Sequence, residues 1–221
     1  MYTLYIGNKN HSTWSLRPWV LMKTAGITFR EQRIALYESD SPARIRVFSP
    51  SGKVPCLHDG ADVIVWDSLA IAEYLAERHP GLWPRDDKAR AWARSATAEM
   101  HSGFADLRRE FDMNLRVSKK LNPSPPVAKE IARIEALWSE GRERFGGTGD
   151  FLCGEFGIVD AFFCPVAFRF AIYQHELEGI GAAYQRTLLA LPAMRDWAAD
   201  AAREPEVIAQ AEPSTATPGQ L

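Results

Sequence analysis

The chain has only three cysteines in 221 residues, Cys56, Cys153 and Cys164, and none sits in the CxxC spacing of a redox pair or a zinc site. An odd, scattered set argues against a disulfide framework and suits a reducing compartment, so a cytoplasmic location is expected. Neither charge sign is in surplus: 26 Lys and Arg against 28 Asp and Glu leave a formal charge of −2, without the basic footprint that nucleic acid requires. Long apolar runs are missing too, since none approaches the roughly 18 residues that cross a bilayer. The opening MYTLYIGNKN lacks the basic start and apolar stretch of a secretory leader. Neither a nucleic acid nor a membrane is expected as a partner.

The sequence does contain enough apolar residues, 46%, to bury a sizeable core. Thr3 to Ile6 reads as a strand ended by Gly7. From Ser15 an amphipathic helix with Pro18 in its first turn runs to Gly26. Thr28 to Leu36 reads as a second strand, followed by a short irregular helix between Ser41 and Pro50. The runs at Val54 to Leu57 and Val63 to Trp66 flank Asp59-Gly60, a hairpin signal, and Asp67-Ser68 then opens a helix. This order, βαβα followed by ββα, predicts a mixed sheet with packed helices over residues 1–80.

A proline-bounded stretch from His79 to Pro84 reads as a linker, and the pattern beyond it is helical. Trp92, Ala96, Met100, Phe104, Leu107, Phe111 and Leu115 recur at helical spacing and predict one long helix. Further helices are expected at Val127 to Phe145, at Ile158 to Tyr173 and from Leu191-Pro192 to about Arg203. The second domain is thus all-α over residues 87–203, and residues 204–221 read as a mobile tail.

Four local features could carry chemistry. Ser12, Thr13 and Ser15 form a hydroxyl-rich turn entering a helix; such a serine is usually a helix cap. A hydroxyl beside a helix N-terminus also suits a thiolate. A thiol of pKa about 8.5 is mostly protonated at neutral pH, and lowering that pKa by about two units takes roughly 2.7 kcal/mol. One charge-assisted hydrogen bond and the helix dipole can supply that much. Lys53-Val54-Pro55 ordinarily marks a strand start, or else a cis peptide bond that offers the Val54 backbone to an extended peptide; the sequence leaves the isomer open. Asp67-Ser68 is ordinarily a cap, or a site where helix N–H groups and the Ser68 hydroxyl hold a carboxylate while Asp67 pairs with an ammonium. Gly157 to Asp160 reads as a structural helix start.

In this order and spacing the elements resemble the cytosolic glutathione transferase family over nearly the whole chain. Asp67-Ser68-Leu69-Ala70-Ile71 looks like the family's glutamyl-binding signature, and Gly157 to Asp160 like its helix-capping motif, with Gly157 where Ser or Thr is usual. Ser12 precedes Arg17 by the offset of the serine-type zeta and tau classes, an offset Ser15 lacks. The zeta pattern Ser-Ser-Cys-Ser-Trp-Arg is not reproduced, since Trp14 stands at the cysteine and Leu16 at the tryptophan. Tyr5, mid-strand, is the tyrosine-type alternative. The resemblance implies a thioredoxin-like domain followed by an all-α domain, with glutathione as cosubstrate and no bound metal or cofactor. It implies Ser12 as the thiol-activating residue with Thr13 assisting. Lys53, Val54, Pro55, Asp67 and Ser68 would bind glutathione, and Trp14, His101, Phe104 and Arg108 would line the second-substrate pocket. It also implies a homodimer. The expected reaction is addition of the thiol to a small electrophile, with a maleylacetoacetate-type isomerase or a non-catalytic binding module as alternatives.

Overall fold

The computed structural model describes residues 1–207 together with residues 217 and 218. Strand β1 (Tyr2–Ile6) alternates sides, as period-2 geometry requires. Leu4 and Ile6 are fully buried on one face with Leu16, Val20, Ile71 and Leu75. Tyr5 turns to the other face, against Ile45, Phe48 and Cys56. The ring of Tyr5 stacks on Phe48 at 4.1 Å, so it serves packing on the side of the sheet away from Leu4 and Ile6.

Helix α1 (Thr13–Thr24) starts earlier than expected, with Ser12 at the N-cap position and Pro18 inside the helix instead of in its first turn. Strand β2 (Phe29–Arg33) is shorter than expected and runs parallel to β1. Helix α2 is Ser41–Arg46. Strands β3 (Cys56–Asp59) and β4 (Val63–Trp66) form the expected hairpin, with Gly60 at φ 68, and α3 (Ser68–Ala76) follows. The sheet order is β2-β1-β3-β4, with β3 antiparallel to both β1 and β4. This is a thioredoxin-like sheet-and-helix unit.

The expected long helix is two helices, α4 (Asp87–Ser102) and α5 (Ala105–Glu110). Gly103 leaves helical geometry, and Phe104 adopts a left-handed φ of 57°. The new helix start is stabilised by Glu130, whose carboxylate accepts the N–H groups of Asp106 at 3.4 Å and Leu107 at 2.6 Å. Apolar spacing carries through the break, and the partner that makes the break favourable lies in another helix.

A short strand, β5 (Val117–Ser118), precedes α6 (Pro125–Phe145), which begins on its two prolines. Helix α7 (Ile158–Ile172) is buried at nearly every position and packs against α1, α4 and α8. Helix α8 (Gly179–Ala190), not anticipated from the sequence, buries Tyr184 and Leu188, a turn apart; α9 (Pro192–Arg203) follows. Residues 217 and 218 form β6 (Thr217–Pro218), antiparallel to β5. One continuous core joins the sheet unit to the helical unit, because α1 and α7 bury side chains against each other.

Asp160 is fully buried and accepts hydrogen bonds from Leu152 N at 3.1 Å, Gly157 N at 2.9 Å and Tyr184 Oη at 2.7 Å. Burial raises its pKa to about 6 although all three bonds favour the anion. Its role is to tie the start of α7 to the preceding loop.

The mobile-tail expectation is corrected at its beginning. Glu204 is held by the backbone N–H groups of Lys9 and Asn10, and Arg116 donates to the carbonyls of Ala201 at 3.1 Å, Glu206 at 2.8 Å and Glu204. Residues 208–216 and 219–221 lie outside the described residues.

Candidate active site

The turn between β1 and α1 is shaped by its own backbone. Asn8 O accepts Ser12 N at 2.8 Å and His11 N at 3.2 Å, while Asn8 Oδ1 accepts Leu36 N at 2.7 Å. Ser12 occupies the N-cap position, yet its hydroxyl makes no capping bond to the helix. It donates instead to Ser15 Oγ at 2.7 Å, and Ser15 Oγ also accepts Gly7 N at 3.1 Å. The ordinary cap reading of Ser12 therefore does not describe its side chain. Ser12 and Thr13 are both buried, and Trp14 is the turn's exposed residue.

Beside this turn lies a cleft of about 460 Å³ lined by Trp14, Ser51, Lys53, Val54, Pro55, Trp66, Asp67 and Ser68. The structure thus joins three sequence-distant segments: the α1 entry, the residues before β3, and the β4–α3 junction. The Val54-Pro55 bond is cis. Ser51 and Trp66 were not singled out from the sequence; their adjacency to Lys53 and Asp67 was the available signal. Ser12 and Thr13 flank this cleft in sequence through Trp14 but do not line it.

At the start of α3, Asp67 has φ 74 and turns its carboxylate back on the helix. Oδ1 accepts Leu69 N at 2.8 Å and Ala70 N at 3.4 Å, a helix cap, and Oδ2 lies 3.4 Å from His101 Nε2. Ser68 is buried, and its hydroxyl oxygen accepts a bond from Arg17 Nη1 at 3.3 Å.

Of the expected second-substrate residues, three gather at one place. Trp14 packs edge-on against His101 with ring centroids 5.4 Å apart, and the Arg17 and Arg108 guanidinium groups lie 4.2 and 4.8 Å from the Trp14 centroid. Arg108 Nη2 also donates to Met100 O and His101 O, which secures the end of α4. Burial and the neighbouring cations Arg17 and Arg108 depress the His101 pKa, against the pull of Asp67. Phe104 is not part of this group. It is buried at the α4–α5 break and borders a separate groove with Gly103, Pro125 and Lys129. Met100, Leu107 and Met113 are core residues.

Residues 11–78 match the family described as "Glutathione S-transferase, N-terminal domain". A probable maleylacetoacetate isomerase of Caenorhabditis elegans is 31% identical over 121 residues, 54% of this chain and 53% of that protein. That match spans about half the length of the nematode relative. Glutathione S-transferase 1 of Dianthus caryophyllus is 27% identical over 73% of this chain and 74% of its own. A glutathione transferase homologue from Burkholderia GL BGR1, solved with bound glutathione, superposes with a TM-score of 0.62 at 22% identity, covering 91% of this chain and 97% of its own. A tau class glutathione S-transferase from mango, Mangifera indica, gives a TM-score of 0.64 at 16% identity, covering 89% and 91%. The chain has the fold of these glutathione transferase structures.

Proposed function

We propose that the protein is a glutathione transferase that uses the Ser12 hydroxyl to stabilise the glutathione thiolate and adds that thiolate to a small electrophile. The observation that carries this reading is the cleft that unites Lys53, Val54, Pro55, Asp67 and Ser68 beside the Ser12 turn. In it the cysteinyl backbone would pair with Val54, the γ-glutamyl end would meet Asp67 and Ser68, and Lys53 would meet the glycyl carboxylate. The thiol proton leaves to solvent, and Ser12 must release Ser15 and donate a hydrogen bond to the sulfur anion, an exchange of a neutral hydrogen bond for a charge-assisted one. The thiolate then forms the carbon–sulfur bond as the electrophile loses its leaving group or gains a proton from solvent. Holding both reactants together supplies much of the acceleration. Thr13 borders the same helix start as an auxiliary. The protein acts in the cytoplasm as a homodimer, with no bound metal or cofactor.

The test is ultraviolet absorbance of the bound thiolate, measured with turnover of an aryl halide. Ser12→Ala should lose the thiolate signal and most of the turnover while keeping the fold; parental turnover in Ser12→Ala overturns the mechanism.

A second reading, a glutathione-dependent isomerase of the maleylacetoacetate type, draws on the likeness to the nematode protein and on the cations Arg17 and Arg108 around Trp14. A substrate panel with hydroperoxides and maleyl compounds separates these reactions.

A further inference from the structure

The expected seat for the γ-glutamyl carboxylate was the set of free N–H groups at the start of α3. Two of those groups are engaged by Asp67: Leu69 N and Ala70 N both donate to its Oδ1. A carboxylate arriving at Ser68 therefore meets a helix start whose positive end already carries an acid, and Arg17 stands directly behind that wall.

Arg17 is 2% exposed, and among the described residues no carboxylate hydrogen-bonds to it. Its Nη1 makes two long contacts, to Ser68 Oγ at 3.3 Å and to His101 Nδ1 at 3.4 Å, and its Nε has no partner. Its flat faces lie near Trp14 and Phe162. The charges around it are mostly of its own sign, Arg108 and Arg169, with Asp67 the one opposing charge. Burial first, then those two arginines, push its pKa well below the ordinary arginine value, the signature of a cation short of counter-charge. A buried guanidinium without an ion pair is costly to the folded protein. That cost falls when an anion binds on the cleft side of Ser68.

We propose that Arg17 is a positioning residue for the γ-glutamyl α-carboxylate: its guanidinium orients the Ser68 hydroxyl as a donor into the cleft and supplies the counter-charge for the carboxylate that Ser68 holds. This rests on the glutathione reading above. Because Arg17 donates to the Ser68 oxygen, the Ser68 hydrogen is directed elsewhere, and the cleft is the side left to it.

The experiment compares binding of two peptides by calorimetry. One is glutathione; the other is 4-aminobutyryl-cysteinyl-glycine, which keeps the ammonium and lacks only the α-carboxylate. The parent should bind glutathione at least about tenfold more tightly than the analogue. Arg17→Gln should bind glutathione about tenfold more weakly than the parent yet bind the analogue as the parent does. Equal weakening of both peptides, or unchanged glutathione binding, overturns the proposal. A merely structural Arg17 would weaken both. If Arg17→Gln does not fold, Ser68→Ala decides the matter. Arg17 acting through its charge predicts that Ser68→Ala still favours glutathione by about threefold or more, and complete loss of that preference overturns it. A parent that binds both peptides equally sinks this inference alone. A parent that binds neither sinks the glutathione reading as well.

Discussion

Glu204 and Lys9 stand 195 residues apart in the chain, and the Glu204 carboxylate accepts the Lys9 backbone N–H at 2.6 Å. The second carboxylate oxygen takes Asn10 N at 3.1 Å, Trp197 Nε1 donates to Lys9 O at 2.8 Å, and Lys9 Nζ pairs with Asp200 at 2.6 Å and Glu31 at 3.0 Å. The end of α9 is thereby fastened to the turn that carries Ser12. Glu204→Ala leaves two backbone donors in a half-buried site without their acceptor. A loss of about 1–3 kcal/mol in folding stability is expected, read as a lower denaturant midpoint with unchanged slope. Truncation just before Glu204 should reproduce that loss, whereas truncation after Val207 should spare it.

The resemblance to glutathione transferases leads to Ser or Thr being expected where Gly157 stands at the start of α7, and the structure supplies a reason for the glycine. A Cβ on Gly157 would meet Leu82 O at 2.9 Å, while Ile158 N bonds that same carbonyl at 3.0 Å. Gly157→Ser therefore gains a capping hydroxyl and forces apart two backbone segments, with no flexible side chain to yield. A net destabilisation of about 1 kcal/mol is expected, and a thermal shift upward would show the cap to be the stronger effect.

Asp160 gives a signed pH dependence. Its folded pKa, about 6, lies above the ordinary aspartate value of 3.8, so between those values the folded state keeps a proton that the unfolded state has lost. The stability contributed by the protonated acid is complete at the acidic end and declines as pH rises through that window. Chemical denaturation from pH 4 to 7 should show this decline in the parent and a flatter profile in Asp160→Asn.

The exposed apolar strip on β4 is the face expected to meet a second subunit. Val63, Ile64 and Trp66 are exposed by 37%, 38% and 45%, and a shallow apolar surface continues onto Leu69 and Ala70 of α3. Ile64→Asp should shift the protein toward a monomer in sedimentation velocity at micromolar concentration. A parent that sediments as a monomer overturns the homodimer proposal, and an unchanged coefficient for Ile64→Asp beside a dimeric parent would place the contact elsewhere.

Local patterns reached far in this chain. The alternation of β1, the Asp59-Gly60 hairpin and the Asp67-Ser68 helix start were legible because each depends on residues within a few positions of one another. Lys53, Val54, Pro55, Asp67 and Ser68 were legible as candidates for the same reason, and the cleft does unite them. Helix α8 was missed although its Tyr184 and Leu188 spacing was present.

What the sequence determined by itself was the order of elements over residues 1–80, the lack of an apolar run long enough to span a membrane and the residue types offered to a thiol and a carboxylate. Tertiary structure decided which groups remain available. Glu130 divided the expected long helix, Glu204 anchored a segment that read as a tail, and Phe104 was turned into the core. The tertiary fold also left Arg17 buried without an ion pair, while the Asp67 carboxylate took the Leu69 and Ala70 N–H groups. Each of these outcomes depends on hydrogen bonds or burial among segments distant in sequence, and local spacing carries no information about such partners.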